Sequence, residues 1–521
     1  MNQPRTLPAR GFLLLMALVA ALLLYRLGAV PLIGPDEPRY SRVAVEMQRS
    51  GDLVTPTLQG QPWLEKPVLY YWLAAAAFSA LGENEAAARL PSALALLVTV
   101  ACTAIVGSRL YGCRAGLLAG FATGTSLLMF AYGRSASMDM LLTASLTAGL
   151  GLLGLRRLGI AGPPAAVVGA AFLGLATLAK GPLGVLIPAL VLVPHWLLTR
   201  KRAAAALVTP GAVVAFVLVA LPWYALVTRA QGWLFVETFF LNHNVERFTS
   251  TVHNHPGPLL YYVPILLLGL FPWSVLLVPA VARIDRTSSA DLFVAAWALM
   301  PLLFFSAAGS KLPGYILPVV PPLAILIGRA SADLISGRPL RQAVALAAAG
   351  LALVLAVAVG AAPWLVRVPV AEQRVLLAPA AAWGALVMGL AAVRLIPPVR
   401  NVVPILRVGA AGFLLLIATA APALLRHIES GRDLFVPAAQ GREVLAWGAW
   451  RTAWMAGYFY NDGRVREVSG PVEIVEATQR GPVLVLCGPG ERGRLETMPG
   501  VRVAVLATGV RKNALVEVSS R

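Results

Sequence analysis

Charged residues are scarce in this 521-residue chain: Asp, Glu, Lys and Arg make up 13% of it, about half of the roughly 25% typical of soluble domains. The apolar share is 58% and the mean hydropathy +0.75. A water-facing surface cannot be covered from so small a supply of charge, which excludes a soluble body for the protein, DNA-binding folds included. Acid is the scarcer sign, 24 residues against 43 Lys and Arg, and the formal net charge is +19. In a soluble protein that excess would point to nucleic acid; in a membrane protein the placement of the basic residues decides its meaning. Cysteine is nearly absent. Cys102, Cys113 and Cys487 are too few and too scattered for a disulfide framework or a thiolate metal site. A Walker A lysine loop is missing, which argues against an ATP-driven pump. Gly488-Pro-Gly490-Glu-Arg-Gly493 has the spacing of a dinucleotide fingerprint, but Pro499 cuts short the helix that must follow, so the match is read as accidental.

What the chain has instead is long apolar runs. A spanning helix needs about 20 predominantly apolar residues, and thirteen such runs lie near 11–30, 89–111, 114–133, 139–157, 163–179, 182–198, 204–228, 258–282, 290–308, 313–335, 341–362, 373–395 and 404–425. The first comes after Arg5 and Arg10 without a clear cleavage signature and reads as an uncleaved anchor. Alternate connections are basic: Arg109 and Arg114, Arg156 and Arg157, Arg200 with Lys201 and Arg202, Arg283 and Arg286, Arg338 and Arg341, Arg394 and Arg400. By the positive-inside rule that side, with the N-terminus, is cytoplasmic. The basic excess thus has a topological cause and no nucleic-acid partner is expected. The loops 31–88 and 229–257 and the C-terminus then fall on the outer face, the periplasm if the membrane is a bacterial inner membrane. Gly112, Gly116, Gly120 and Gly124, spaced i, i+4, predict close helix packing. Residues 1–426 are read as the transmembrane domain. From 427 to 521 the apolar runs shorten, and 482–487, 502–506 and 514–518 read as strands of a small α/β domain.

Ionisable residues beside apolar spans are costly unless used or paired. Asp36 and Glu37 lie close behind the first run and are read as catalytic; the competing reading is a helix N-cap, with Asp36 ahead of Pro38. Asp139 opens the fourth run on the same face, where a carboxylate could simply complement a helix dipole. Lys180 and Lys311 interrupt apolar sequence at that face too, and snorkelling alone would explain one of them. Two carboxylates and several cations converging on one face predict a site for an anionic, membrane-embedded substrate. His243, His253 and His255 share one loop with Asn244 and Arg247. They could hold a divalent metal, although no helical His pair or Cys supports it; hydrogen-bonding or titrating roles are the alternative.

The ordered string Asp36-Glu-Pro-Arg39-Tyr40, Gly51-Asp-Leu-Val-Thr-Pro, Glu65-Lys66-Pro-Val-Leu-Tyr70-Tyr71-Trp, Gly82-Glu-Asn-Glu, Ala88-Arg89-Leu-Pro91, Lys180-Gly, Glu246-Arg247-Phe248, Pro258-Leu-Leu-Tyr-Tyr and Ser310-Lys311-Leu-Pro-Gly-Tyr315 resembles the bacterial 4-amino-4-deoxy-L-arabinose lipid A transferases, relatives of protein O-mannosyltransferases. The resemblance runs from residue 12 to about 330. It implies a GT-C membrane fold of about 13 helices with an outer C-terminal domain, and transfer of a sugar from an undecaprenyl (polyprenyl) phosphate on the outer face to a lipid or glycan acceptor such as lipid A. It further implies that Asp36 is the principal catalytic carboxylate and Asp139 its partner, and that Arg39, Tyr40, Lys66 and Lys180 hold the donor phosphate. Tyr315 would line the cavity, and Glu65, Tyr70, Tyr71, His243, Asn244, Arg247, His255 and Lys311 are taken with it as cavity or substrate-binding residues. Where the family pattern has His, this chain has Asn244, with His243 one position earlier.

The chemistry agrees with those residue types. A sugar phosphodiester has a weakly basic leaving group, so cations and donors that receive the developing phosphate charge matter more than a strong acid. A transporter of lipid-linked sugars is the rival class; it should show inverted repeats and broken helices at the midplane, and the sequence shows no such repeat. A membrane scaffold would have no reason to gather lone charges on one face. Reporter fusions are expected to place 31–88, 229–257 and 427–521 outside and Arg200 to Arg202 inside; a cytoplasmic C-terminus would put the proposed site in the wrong leaflet.

Overall fold

The computed structural model of the protein describes residues 7–199, 207–239, 257–365, 371–399, 401–436, 438–439 and 441–520. Among the described residues, the longer helices of the first half are α1 (Ala9–Leu24), α2 (Asp36–Ser50), α3 (Leu69–Leu81), α4 (Glu85–Tyr111), α5 (Cys113–Thr125), α6 (Leu127–Gly133), α7 (Met138–Arg157), α8 (Pro164–Lys180), α9 (Leu183–Thr199) and α10 (Pro210–Gln231). Among the described residues, each of the thirteen apolar runs coincides with a helix or a bent pair of helices. Among the described residues, eight helices are long and apolar enough to cross a membrane, and counting each of the bent pairs Cys113–Thr125 with Leu127–Gly133 (60°) and Tyr262–Gly269 with Trp273–Ala282 (107°) as one span brings that number to ten. α1, α8 and α9 are shorter apolar helices. The protein is thus a multi-pass membrane protein.

The glycine stripe packs as its spacing predicts, with one correction. A Cβ on Gly116 would lie 2.4 Å from the Ala104 carbonyl oxygen of α4, and one on Gly124 2.7 Å from Val19 of α1; small residues let these backbones touch. Gly112 is not part of the stripe. Its φ of 95° makes it the turn between α4 and α5, a conformation costly for a residue with a Cβ. Ser126, extended at ψ 139°, ends α5 and redirects α6 by the 60° bend. That bend carries Tyr132 and Arg134 to the same end of the bundle as the start of α7.

The connection 31–88 is structured. Pro38 is tolerated in the first turn of α2, where its missing N–H would have no helical partner, and Gly51 in the left-handed region closes the helix. Glu46 then organises the residues after α2. It accepts from Arg42 Nε (2.7 Å), Thr57 Oγ1 (2.8 Å), Gln59 N (2.8 Å) and Gly60 N (3.1 Å), which fixes a small hairpin of β1 (Thr57–Leu58) and β2 (Gln61–Pro62). α3 was not expected. It is a 13-residue apolar helix inside the loop.

The C-terminal region forms a five-stranded sheet, β3 (Val444–Trp447), β4 (Val465–Glu467), β5 (Val483–Cys487), β6 (Val501–Thr508) and β7 (Ala514–Ser520), in the order β4-β3-β5-β7-β6. β3 runs parallel to both neighbours, whereas β7 is antiparallel to β5 and β6. The string 488–493 follows β5 directly and forms the N-cap and first turns of the nine-residue helix Pro489–Thr497, and the Glu491 carboxylate folds back against Gly448 and Gly488. An acid occupies the place a pyrophosphate would need. The sheet region docks on the first loop: Asp462 accepts from Arg42 (2.5 Å) and Arg49 (2.6 Å), Gln59 donates to the Gly463 and Val465 carbonyls (2.6 and 2.7 Å), and Tyr460 bonds Leu32 N (2.7 Å) and Glu85 (3.0 Å). Loop and domain therefore share one end of the bundle.

Burial works to raise the Glu46 carboxyl, but the Gly60 amide, Arg42, Thr57 and the Gln59 amide outweigh it and hold it below its ordinary value. Its stabilisation is complete above the unfolded pKa of roughly 4.3 and disappears as pH falls through the lowered folded value. Glu46→Ala is expected to loosen 57–62 by about 1–3 kcal/mol, read as faster amide exchange at Gln59 and Gly60 at neutral pH, with the wild type approaching the variant in acid. Equal exchange in the two at neutral pH would show that the hairpin forms without Glu46.

Candidate active site

A cavity of about 290 Å³ opens at the end of the bundle shared by the first loop and the C-terminal sheet; Asp36, Glu37, Tyr40, Lys66, Tyr132, Ser137, Asp139, Lys180 and Tyr315 line it. Asp139 sits in the first turn of α7, whose N-cap Ser137 accepts from the Asp139 amide (3.1 Å). The Lys180 ammonium, at the last residue of α8, donates to Asp139 Oδ1 and stands 4.3 Å from the centre of the Tyr315 ring. Charge pair and ring hold one another in place, since the ammonium is attracted by both. Tyr315 is delivered by the 3-10 segment Pro313–Val319, and Gly314 is what lets it come close. A Cβ there would lie 2.7 Å from Tyr132 Cε1 and 2.8 Å from Asp139 Oδ2.

Asp36 is the first residue of α2. The N-cap is Pro35 and no side-chain cap bond is made, so the capping reading of Asp36 finds no support in the geometry. Its carboxylate instead accepts from Arg39 Nη2 at 2.5 Å, and its side chain is 51% exposed. The Arg39 guanidinium lies over Trp63 (5.0 Å) and Tyr40 (5.4 Å). Burial opposes its charge, and Tyr40, Asp36 and Glu65 outweigh burial, raising it above its ordinary value. Burial and then Asp36 raise the Tyr40 phenol, which keeps Tyr40 a hydrogen-bond donor at neutral pH. Glu65 is thus an electrostatic neighbour of Arg39 and Tyr40.

Four expected site residues have other employment. Glu37 is not the chemical twin of Asp36: its carboxylate is buried, ion-paired with Arg89 (2.7 and 3.1 Å), and accepts from the amides of Ile33 (2.8 Å) and Ala136 (2.6 Å). A carboxylate so saturated has no lone pair in position to take a proton. Tyr70 donates to the Ala88 carbonyl (2.9 Å), and Tyr70 and Tyr71, both fully buried, meet Tyr40 edge to face at 6.3 and 6.4 Å. They back the Tyr40 ring instead of lining the cavity. Lys311 is buried and donates to the carbonyls of Ala308 (2.7 Å) and Gly257 (3.0 Å), bracing the turn before Tyr315. His243, Asn244, Arg247 and His255 lie outside the described residues. Among the described residues no three His, Cys, Asp or Glu side chains are grouped as metal ligands.

Sequence reasoning missed Arg89, Arg134, Tyr132 and Gly314. Arg89 donates to the carbonyls of Val30 (2.5 Å), Pro31 (2.8 Å) and Leu27 (3.2 Å), and Arg134 to those of Leu23 (2.6 Å), Tyr25 (2.7 Å) and Arg26 (3.1 Å). Apart from the Arg26 carbonyl, which also accepts from the Ala29 amide (3.0 Å), these are carbonyls that the end of α1 and the turn beyond it leave without a backbone partner. A lone arginine at the end of an apolar run was the signal for both. Tyr132 and Gly314 carried none.

Arg89→Met is expected to cost about 3–5 kcal/mol, because it strands a buried carboxylate, and Glu37→Leu with Arg89→Met should recover part of that loss in thermal unfolding of the purified protein. A Glu37→Gln protein that is as stable as wild type yet inactive would return Glu37 to a chemical role.

Known proteins agree with this architecture. Residues 65–226 match the family model described as dolichyl-phosphate-mannose-protein mannosyltransferase. Undecaprenyl phosphate-alpha-4-amino-4-deoxy-L-arabinose arabinosyl transferases from Enterobacter sp. and Erwinia tasmaniensis are 32% and 33% identical to the chain over 316 and 341 residues. These stretches cover 58% and 63% of this chain and 56% and 61% of those proteins, so the match spans little more than half the length of the curated relatives. The crystal structure of ArnT from Cupriavidus metallidurans bound to undecaprenyl phosphate superimposes with a TM-score of 0.81 at 24% identity, covering 98% of each chain. The family resemblance read from the sequence is therefore matched by these arabinosyl transferases, and the chain has the fold of that ArnT structure.

Proposed function

We propose that the protein is a membrane glycosyltransferase that moves a sugar from a polyprenyl phosphate to an acceptor at the outer face of a bacterial inner membrane. One observation carries the reading: the Asp139–Lys180 and Asp36–Arg39 pairs, contributed by helix ends of α2, α7 and α8, flank a single cavity that also receives Lys66 and Tyr40. Residues 1–426 form the transmembrane catalytic unit and 427–521 a periplasmic domain in this reading, with the N-terminus cytoplasmic. Docking of the C-terminal sheet on the loop that supplies Asp36 supports a common side for the two. Relatives named undecaprenyl phosphate-alpha-4-amino-4-deoxy-L-arabinose arabinosyl transferase support 4-amino-4-deoxy-L-arabinose as the sugar and undecaprenyl phosphate as the carrier. Lipid A is the acceptor that goes with the family read from the first loop.

The bond between the anomeric carbon and the phosphate oxygen breaks, its electron pair leaving with the polyprenyl phosphate, while an acceptor oxygen bonds to that carbon. Lys66, Lys180 and Arg39 receive the phosphate charge, with Tyr40 donating a hydrogen bond. A hydroxyl acceptor gives its proton to Asp36; a phosphate acceptor, already ionised, needs Asp36 only to orient the sugar. Asp139 positions Lys180, and Tyr315 closes the wall beside them. Transfer to a protein hydroxyl is the second reading, favoured by the mannosyltransferase family match over 65–226.

Asp36→Asn is expected to lower sugar transfer in membranes at least about a hundredfold, at normal folded abundance, with Asp139→Asn milder. Lys66→Ala and Lys180→Ala should raise the donor concentration needed and weaken polyprenyl-phosphate binding in parallel. Full activity in Asp36→Asn defeats the mechanism. Mass spectrometry of lipid A and envelope glycoproteins with and without the protein identifies the acceptor.

A further inference from the structure

The end of the bundle opposite the Asp139 cavity holds a second cavity, of about 450 Å³. Its walls join Leu14 and Leu18 of α1 to Leu117 and Phe121 of α5, and two guanidinium groups enter it, Arg114 from the start of α5 and Arg407 from one turn inside the helix Val403–Glu429. Arg407 lies over the Phe121 ring at 5.6 Å, and Arg114 makes only a long contact, 3.5 Å, to Ser336 Oγ. Arg283 and Arg329, at the same end, pair with Asp333 and Asp291. Among the described residues, no ion pair to a carboxylate joins Arg114 or Arg407. Two cations from segments nearly 300 positions apart thus converge on an apolar slot where the described residues place no acid in an ion pair with them. An interfacial arginine that merely reaches for water needs no such slot.

We propose that this cavity binds an anionic glycerophospholipid, its phosphate between Arg114 and Arg407 and its acyl chains along Leu14 and Leu18, which are 71% and 41% exposed on the outer side of α1. Charge complementarity calls for an anion and the leucine wall for a chain attached to it; a free phosphate would gain nothing from that wall. The leaflet narrows the choice further. The basic connections cluster at this end, which the positive-inside rule assigns to the cytoplasmic leaflet, where anionic phospholipids supply the negative surface potential. The donor cavity lies at the far end of α1, whose 16 residues make it about 24 Å long, so the two sites take their lipids from different leaflets.

The test uses the full chain in mild detergent, with phosphatidylglycerol, phosphatidylcholine of the same acyl chains, undecaprenyl phosphate and inorganic phosphate as probes in native mass spectrometry. Phosphatidylglycerol should be retained over phosphatidylcholine, and Arg114→Gln and Arg407→Gln should each reduce its retention by about fivefold, whereas Arg394→Gln leaves it unchanged. Equal retention of the two phospholipids, unchanged retention in the double variant, stoichiometric displacement by undecaprenyl phosphate, or equal competition by inorganic phosphate would each overturn the proposal. Should the double variant fail to fold, a phosphatidylglycerol with a photoreactive acyl chain decides on the unaltered protein: labels on 11–18 or 114–121 support the site, and labels confined to other segments refute it.

Discussion

The guanidinium of Arg89 and the carboxylate of Glu37 meet with side chains only 2% and 6% exposed, where unpaired charge would cost several kcal/mol for each ion. That cost is offset only because nearly every lone pair and proton of the two groups is used. Arg89 gathers the carbonyls of Leu27, Val30 and Pro31, and Glu37 gathers the amides of Ile33 and Ala136. Four chain segments are tied at one point: the exit of α1, the start of α2, the first turns of α4 and the junction of α6 with α7. Asp36 is one residue from this knot and Asp139 three residues beyond Ala136. The separation of the two cavity carboxylates is therefore set by a hydrogen-bond pattern that neither of them enters.

How much of this is legible in the sequence depends on whether the property in question is one-dimensional. Apolar runs and lone charges are, and so the helices, the end of the bundle that carries the site and the residues Asp36, Asp139 and Lys180 could be read directly. Facing is not one-dimensional where neighbours share a chemistry. Asp36 and Glu37 are consecutive acids, and successive helical residues point about 100° apart; both border the cavity, but the Glu37 carboxylate is tied to Arg89, and nothing local says which of the two it would be. The same ambiguity applies to Tyr40, Tyr70 and Tyr71, three phenols of which one reaches the cavity wall and two stand behind it. Lys311 resembles Lys180 in sequence, each a lone cation before a Gly or Pro turn, but its partners are carbonyls. In the C-terminal sheet, β3 and β4 escaped because they are four and three residues long, too short for an alternating pattern to declare itself.

The first loop and the C-terminal sheet hold each other by polar contacts: Gln59 on the backbone of Gly463 and Val465, Asp462 between Arg42 and Arg49. Exposed pairs of this kind contribute little individually. Their value is positional, since Arg42 also grips Glu46 and Glu46 sets the hairpin ahead of Glu65 and Lys66. Apolar packing adds to these contacts, with Phe78 of α3 against Phe459 at 6.1 Å.

α3 has a consequence of another kind. At 13 residues it is about 20 Å long, short of the roughly 30 Å of a hydrocarbon core, yet it shows Leu73 and Leu81 to its surroundings at 42% and 56% exposure. Such a helix cannot cross the core by itself, and its buried face packs on the rest of the protein. Because it carries Tyr70 and Tyr71, which brace Tyr40, the seating of this short helix helps set the position of the Tyr40 ring at the cavity wall. For the proposed reaction, any displacement of α3 against the ends of α7 and α8 would then reach the cavity through Tyr70, Tyr71 and Tyr40.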